Sequence, residues 1–143
     1  MVCLLALSTA GSCSTATGPS GEVARAKARW TAFGPASYEV TVELTCFCGP
    51  ESTRPTIVRV RDGRAESRRY ADTGAPAPAS VASATPTVDE LFAIIAGAES
   101  SGAATVRARY DAVLGYPVSV FIDYDAGIAD DEYSYTMRDL RGI

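Results

Sequence analysis

The stretch Tyr38-Glu39-Val40-Thr41-Val42-Glu43-Leu44-Thr45-Cys46-Phe47-Cys48 decides the fold. Tyr38, Val40, Val42, Leu44, Cys46 and Cys48 alternate with Glu39, Thr41, Glu43 and Thr45. A period of two places the apolar set on one face of a strand and the polar set on the other. A strand that is wet on one side belongs in an antiparallel sheet with one face covered.

Reading outward, residues 56–61 repeat the pattern, with Val58 and Val60 inward and Arg59 and Arg61 outward. Asp62-Gly63 is a two-residue hairpin signal, so residues 64–70 pair back on them. In the last third, Val106, Ala108 and Tyr110 alternate with Arg107 and Arg109, and Gly115-Tyr116-Pro117 reads as a turn leading into an edge strand. Val118, Val120 and Ile122 form an inward row with Ser119, Phe121 and Asp123 opposite, and Tyr133, Tyr135 and Met137 continue it within residues 132–138.

Two helices complete the set. Val23, Ala26, Trp30 and Phe33 make one stripe over residues 22–33, ended by Gly34 as C-cap and by Pro35, which cannot continue a helix. Thr87-Val88-Asp89-Glu90 is a capping box, and Val88, Leu91, Phe92 and Ile95 fall at i, i+3, i+4 and i+7. Gly102 closes that helix. The order α-β-β-β-α-β-β-β predicts an α+β single domain over residues 22–143, a curved antiparallel sheet of about six strands with two helices on one face. Residues 71–86, rich in Ala, Pro and Ser, read as an exposed, mobile connection.

The N-terminus gives an address. Leu4-Leu5-Ala6-Leu7-Ser8-Thr9-Ala10-Gly11-Ser12-Cys13 has the apolar run and small residues of an export signal, with a cysteine placed to receive lipid. Residues 1–12 read as a signal peptide, and a start site falling inside that signal accounts for its missing basic residues. Residues 13–21 read as a flexible tether. The expected location is extracytoplasmic, with lipid on Cys13 as the membrane anchor. A net charge of −4 gives no electrostatic footprint for nucleic acid.

Of four cysteines, Cys3 leaves with the signal and Cys13 is the anchor, so Cys46 and Cys48 remain. An oxidising compartment invites them to pair. Alternate Cα atoms on a flat strand lie about 6.6 Å apart, so a disulfide there needs a bend, which Gly49-Pro50 can supply. A redox-active or metal-binding pair and two buried reduced thiols are the competing readings.

Absence of His removes the usual general base and the Ser-His-Asp triad. Asp123, Asp125, Asp130, Asp131 and Glu132 crowd one hairpin, and hard oxygen ligands suit Ca²⁺. Ile128 and Ser134 stand where an EF-hand loop needs Gly and Glu, and a solvated acidic turn is the competing reading. Asp123 or Asp131 could also pair with Arg107 or Arg109. Arg59, Arg61, Arg64, Arg68 and Arg69 read as one solvated face.

Trp30, Tyr38, Cys46-Phe47-Cys48, Val60-x-Asp62-Gly63 and Thr87 to Phe92 recur in a fixed order with Tyr110-Asp111-x-x-x-Gly115-Tyr116-Pro117, Ile122-Asp123 and Asp130-Asp131-Glu132. This ordered set, from Ala28 to Leu140, resembles a bacterial family of secreted proteins and lipoproteins classed as domain of unknown function number 6174. The resemblance implies an exported single domain and brings no activity with it. The expectation is a non-enzymatic binding or structural module of the cell envelope. It needs no cofactor, and its partner is an envelope protein or small ligand met through one sheet face. A thiol-disulfide redox protein and a calcium-binding module are the alternatives.

Overall fold

A computed structural model describes residues 20–143, so the readings of Cys3, Cys13, the signal peptide and most of the tether lie outside the described residues. The elements are α1 (Gly21–Phe33), β1 (Tyr38–Cys46), β2 (Thr56–Arg61), β3 (Arg64–Tyr70), α2 (Val88–Ser101), β4 (Thr105–Tyr110), β5 (Pro117–Asp123) and β6 (Glu132–Gly142). The strands form one antiparallel sheet in the order β3-β2-β1-β6-β5-β4. This is the α+β architecture read from the sequence.

Alternation does what the opening stretch predicts. Val40, Val42 and Leu44 face the helices and join Val58, Val60, Val120, Ile122 and Met137 in one buried cluster with Trp30, Leu91, Phe92 and Ile95. Such burial is the main favourable contribution to folding, about 1.5–3 kcal/mol per large apolar side chain. The capping box forms: Thr87 Oγ1 accepts from the Glu90 amide at 3.2 Å, and Glu90 Oε2 accepts from the Thr87 amide at 2.7 Å. Gly102 ends α2 in the left-handed region, at φ 77°.

Gly34 caps α1, but at φ −68° rather than in the left-handed conformation common at such caps. Glycine is required there for space, because a Cβ would lie 2.5 Å from the Trp30 ring.

Four expectations need correction. The segment 71–86 is not exposed throughout: it forms a bridge from Pro76 to Arg69 and a 3-10 turn at Ala79–Val81, and it buries Val81, Ala84 and Thr85. Its small side chains let it lie flat over the core edge, and Arg68 turns to the helix side to donate to the Thr85 carbonyl at 3.0 Å. Arg68 therefore does not share the solvated face of Arg59 and Arg61. The strand after Tyr116-Pro117 is not an edge strand, since β5 lies between β6 and β4. β6 runs past Arg138 to Gly142 because its register shifts against β1 between Glu39 and Thr41, with Asp139 at φ 57°. Among the described residues no helix is long and apolar enough to cross a membrane.

Candidate functional site

Both helices pack on one face of the sheet, and among the described residues nothing covers the other face along its six strands. The register defines its rows. Glu39 is opposite Arg59 on one side and Arg141 on the other, while Arg107, Phe121 and Ser134 follow one another across β4, β5 and β6.

Glu39 is the hub of the central row. Its side chain is only 14% exposed, and it accepts from Arg59 Nη1 at 2.8 Å and from Arg141. The hydrogen bond from Arg141 holds its carboxyl below the ordinary glutamate range; partial burial opposes that shift and the bond from Arg59 adds to it. Glu66 sits between Arg59 at 2.9 Å and Arg61 at 3.1 Å, and its carboxyl is likewise lowered, first by the bond from Arg61. On the β4 side the character changes: the Arg107 guanidinium lies 4.7 Å from the Phe121 ring centroid. A guanidinium on an aromatic face keeps its in-plane N–H donors free for a carboxylate or phosphate.

At one end of the sheet the structure brings two sequence candidates together. β1 stops at Cys46, the backbone bends at Phe47 and Cys48, and the two sulfurs lie at disulfide distance with Cα atoms 5.3 Å apart. Phe47, at the tip, is 84% exposed. A cavity of about 170 Å³ beside it is lined by Cys46, Phe47, Asp130 and Glu132.

The remaining acidic residues do not converge. Asp125 Oδ1 accepts from the Gly127 amide at 2.9 Å, a local turn contact. Asp123 and Asp131 each have one buried carboxylate oxygen with no hydrogen-bond partner, and neither forms an ion pair with Arg107 or Arg109 among the described residues. No three of Cys, Asp and Glu among the described residues meet at metal-binding distance.

Glu39 and Phe121 were missed as candidates by the sequence reading. Their strand alternation marks them as outward-facing, but the neighbours that give them a role come from strand order. Tyr110, Tyr116, Tyr133 and Tyr135 pack on or within the core, and Tyr124 stays 42% exposed against Tyr133.

Comparison with known proteins adds one match. The model of a family of unknown function, DUF6174, matches residues 22–142. No curated protein and no solved structure matches the chain.

Proposed function

The chain belongs to the family of unknown function DUF6174, and from that premise we propose that it is an exported, lipid-anchored, non-enzymatic module that binds a partner through the open face of its sheet. The observation that carries this reading is the one-sided placement of the helices. Among the described residues six strands present a continuous surface without a second layer, crossed by arginines of β2 and β6 ion-paired to Glu39 of β1 and by the Arg107–Phe121 pair at β4 and β5. Aromatic and arginine side chains on one surface are the residue types that dominate recognition.

Export is supported by the apolar run that ends at Cys13 and by the resemblance to secreted proteins. Pairing of Cys46 with Cys48 fits the same compartment.

Two measurements test the reading. Radiolabelled palmitate should enter the wild-type protein in bacterial cells and not the Cys13→Ala variant; equal labelling of both ends the lipid anchor. A photo-crosslinking residue at Thr136 on the open face should give adducts in cells, whereas one at the exposed Ala93 on α2 should not. Adducts from both positions, or from neither, overturn a role for this face.

A further inference from the structure

The two edges of the sheet are not equivalent. Along β3 the following segment folds back, with the Ala77 amide donating to the Arg68 carbonyl at 2.9 Å and the Tyr70 amide to the Ala75 carbonyl at 2.9 Å. Along β4 no such cover occurs among the described residues.

The register tells which β4 groups are free. The Ala104 amide donates to the Tyr124 carbonyl, and Thr105 is opposite Asp123, Val106 opposite Ile122 and Ala108 opposite Val120. Antiparallel pairs alternate between hydrogen-bonded and non-bonded, so Val106 and Ala108 bond to β5. Thr105, Arg107 and Arg109 then turn their N–H and C=O groups to the open edge.

Four arginines surround this edge. Arg107 and Arg109 stand on the open face, and Arg25 and Arg29, one helical turn apart on α1, line a cavity of about 280 Å³ with Tyr110 on the other side. None of the four forms an ion pair among the described residues, whereas Arg59, Arg61, Arg138 and Arg141 each hold a carboxylate. A larger cavity of about 590 Å³ runs along Val106 to Arg109, and Glu22, the single acidic residue lining either space, lines both.

We propose that β4 is a docking edge for an extended acidic segment of another protein, added to the sheet as a seventh strand. Main-chain bonds to Thr105, Arg107 and Arg109 supply the pairing, and acidic side chains on its two faces meet Arg107 and Arg109 on one side and Arg25 and Arg29 on the other. A second copy of this chain is the poorer occupant: its own β4 sets arginine against arginine, and its β3 edge is covered from Arg68 to Tyr70. The proposal rests on reading the protein as a binding module and names the chemistry of its partner.

The test uses the purified full chain and a fluorescein-labelled ten-residue peptide of Glu and Asp among Val and Thr, read by anisotropy at low salt. A second peptide has Lys in place of each acid, and a third keeps the acids but carries N-methyl groups on alternate amides. The acidic peptide should bind and the Lys peptide should not. N-methylation should weaken binding about tenfold or more, because it removes strand pairing and spares charge. The double variant Arg107→Glu, Arg109→Glu should weaken it by a similar factor; should that variant misfold, the N-methyl comparison on the wild-type protein still decides. Equal binding of the acidic and N-methylated peptides overturns strand addition, as does no binding of the acidic peptide at millimolar concentration. Crosslinks from Thr136 without peptide binding would end this proposal and leave the module reading standing; peptide binding without those crosslinks would leave the docking edge standing and end the role of the open face.

Discussion

Gly115 lies against the backbone of Ala26: a Cβ on it would stand 2.5 Å from the Ala26 carbonyl oxygen and 2.9 Å from the Arg29 Cβ. The β4–β5 turn is shaped to permit that approach. Asp111 Oδ1 accepts from the amides of Val113 and Leu114, and the Gly115 amide donates to the Asp111 carbonyl at 3.0 Å. This carries Gly115 to φ 85° and brings Tyr116 edge-on to Trp30, with ring centroids 6.3 Å apart.

Gly115→Ala should therefore destabilise strongly. Strain at positive φ costs about 1–2 kcal/mol, and crowding the helix backbone adds about 1–3 kcal/mol. Urea unfolding should show the lowered midpoint. Asp111→Ala should cost less, because it removes the side-chain acceptor without creating a clash.

Thr87→Ala should lower stability by about 1 kcal/mol, and Thr87→Ser should recover most of it, since a hydroxyl at this position caps α2. Thermal melts of the two variants check this. An equal loss in both would mean that the Thr87 methyl group, rather than the cap, matters.

Tyr38 gives a pH prediction. Burial pushes its phenol up to about 12, partly opposed by the hydrogen bond that its oxygen accepts from the Val88 amide at 3.0 Å. Burial likewise pushes the Tyr110 phenol up to about 12. The folded state holds these protons while the unfolded chain, near the ordinary value of 10, releases them. Their stabilising contribution is complete below pH 10 and is lost as the pH climbs toward 12. Stability measured across this window should fall less steeply in Tyr110→Phe than in the wild type. Tyr38→Phe should also strip the buried Val88 amide of its acceptor, at a cost of about 1–3 kcal/mol at neutral pH.

Glu39 works in the opposite direction. Its lowered carboxyl stabilises the fold above the ordinary glutamate range, and that contribution disappears as the pH falls through the folded-state value. Glu39→Gln should reduce stability at neutral pH and flatten the acid limb of the stability curve. An acid limb as steep as wild type would mean that the bridges from Arg59 and Arg141 contribute nothing measurable.

Local rules made much of this molecule legible before its shape was known. Period-two alternation identified the inward rows of β1, β2 and β5, and the capping box located the start of α2 to the residue. What escaped is non-local. Nothing near Tyr116 says that β5 will have a neighbour on both sides, and nothing near Glu39 announces Arg141, 102 residues away. Val81, Ala84 and Thr85 carry no periodicity, so only the core edge beneath them explains their burial. For the open face, the sequence revealed which side chains point outward but not which rows they form. The Arg107–Phe121 pair and the arginines around β4 emerge only once β4 is known to be the outermost strand.

The pairing of β1 with β6 has a consequence for how the protein comes into being. The first strand made waits for the sixth before it has a partner on its second side, and among the described residues no other strand pair joins the two halves of the sheet. Contacts so distant along the chain form slowly. Until β6 arrives, the second backbone edge of β1 stays unpaired, so closure of the sheet is a late event in folding.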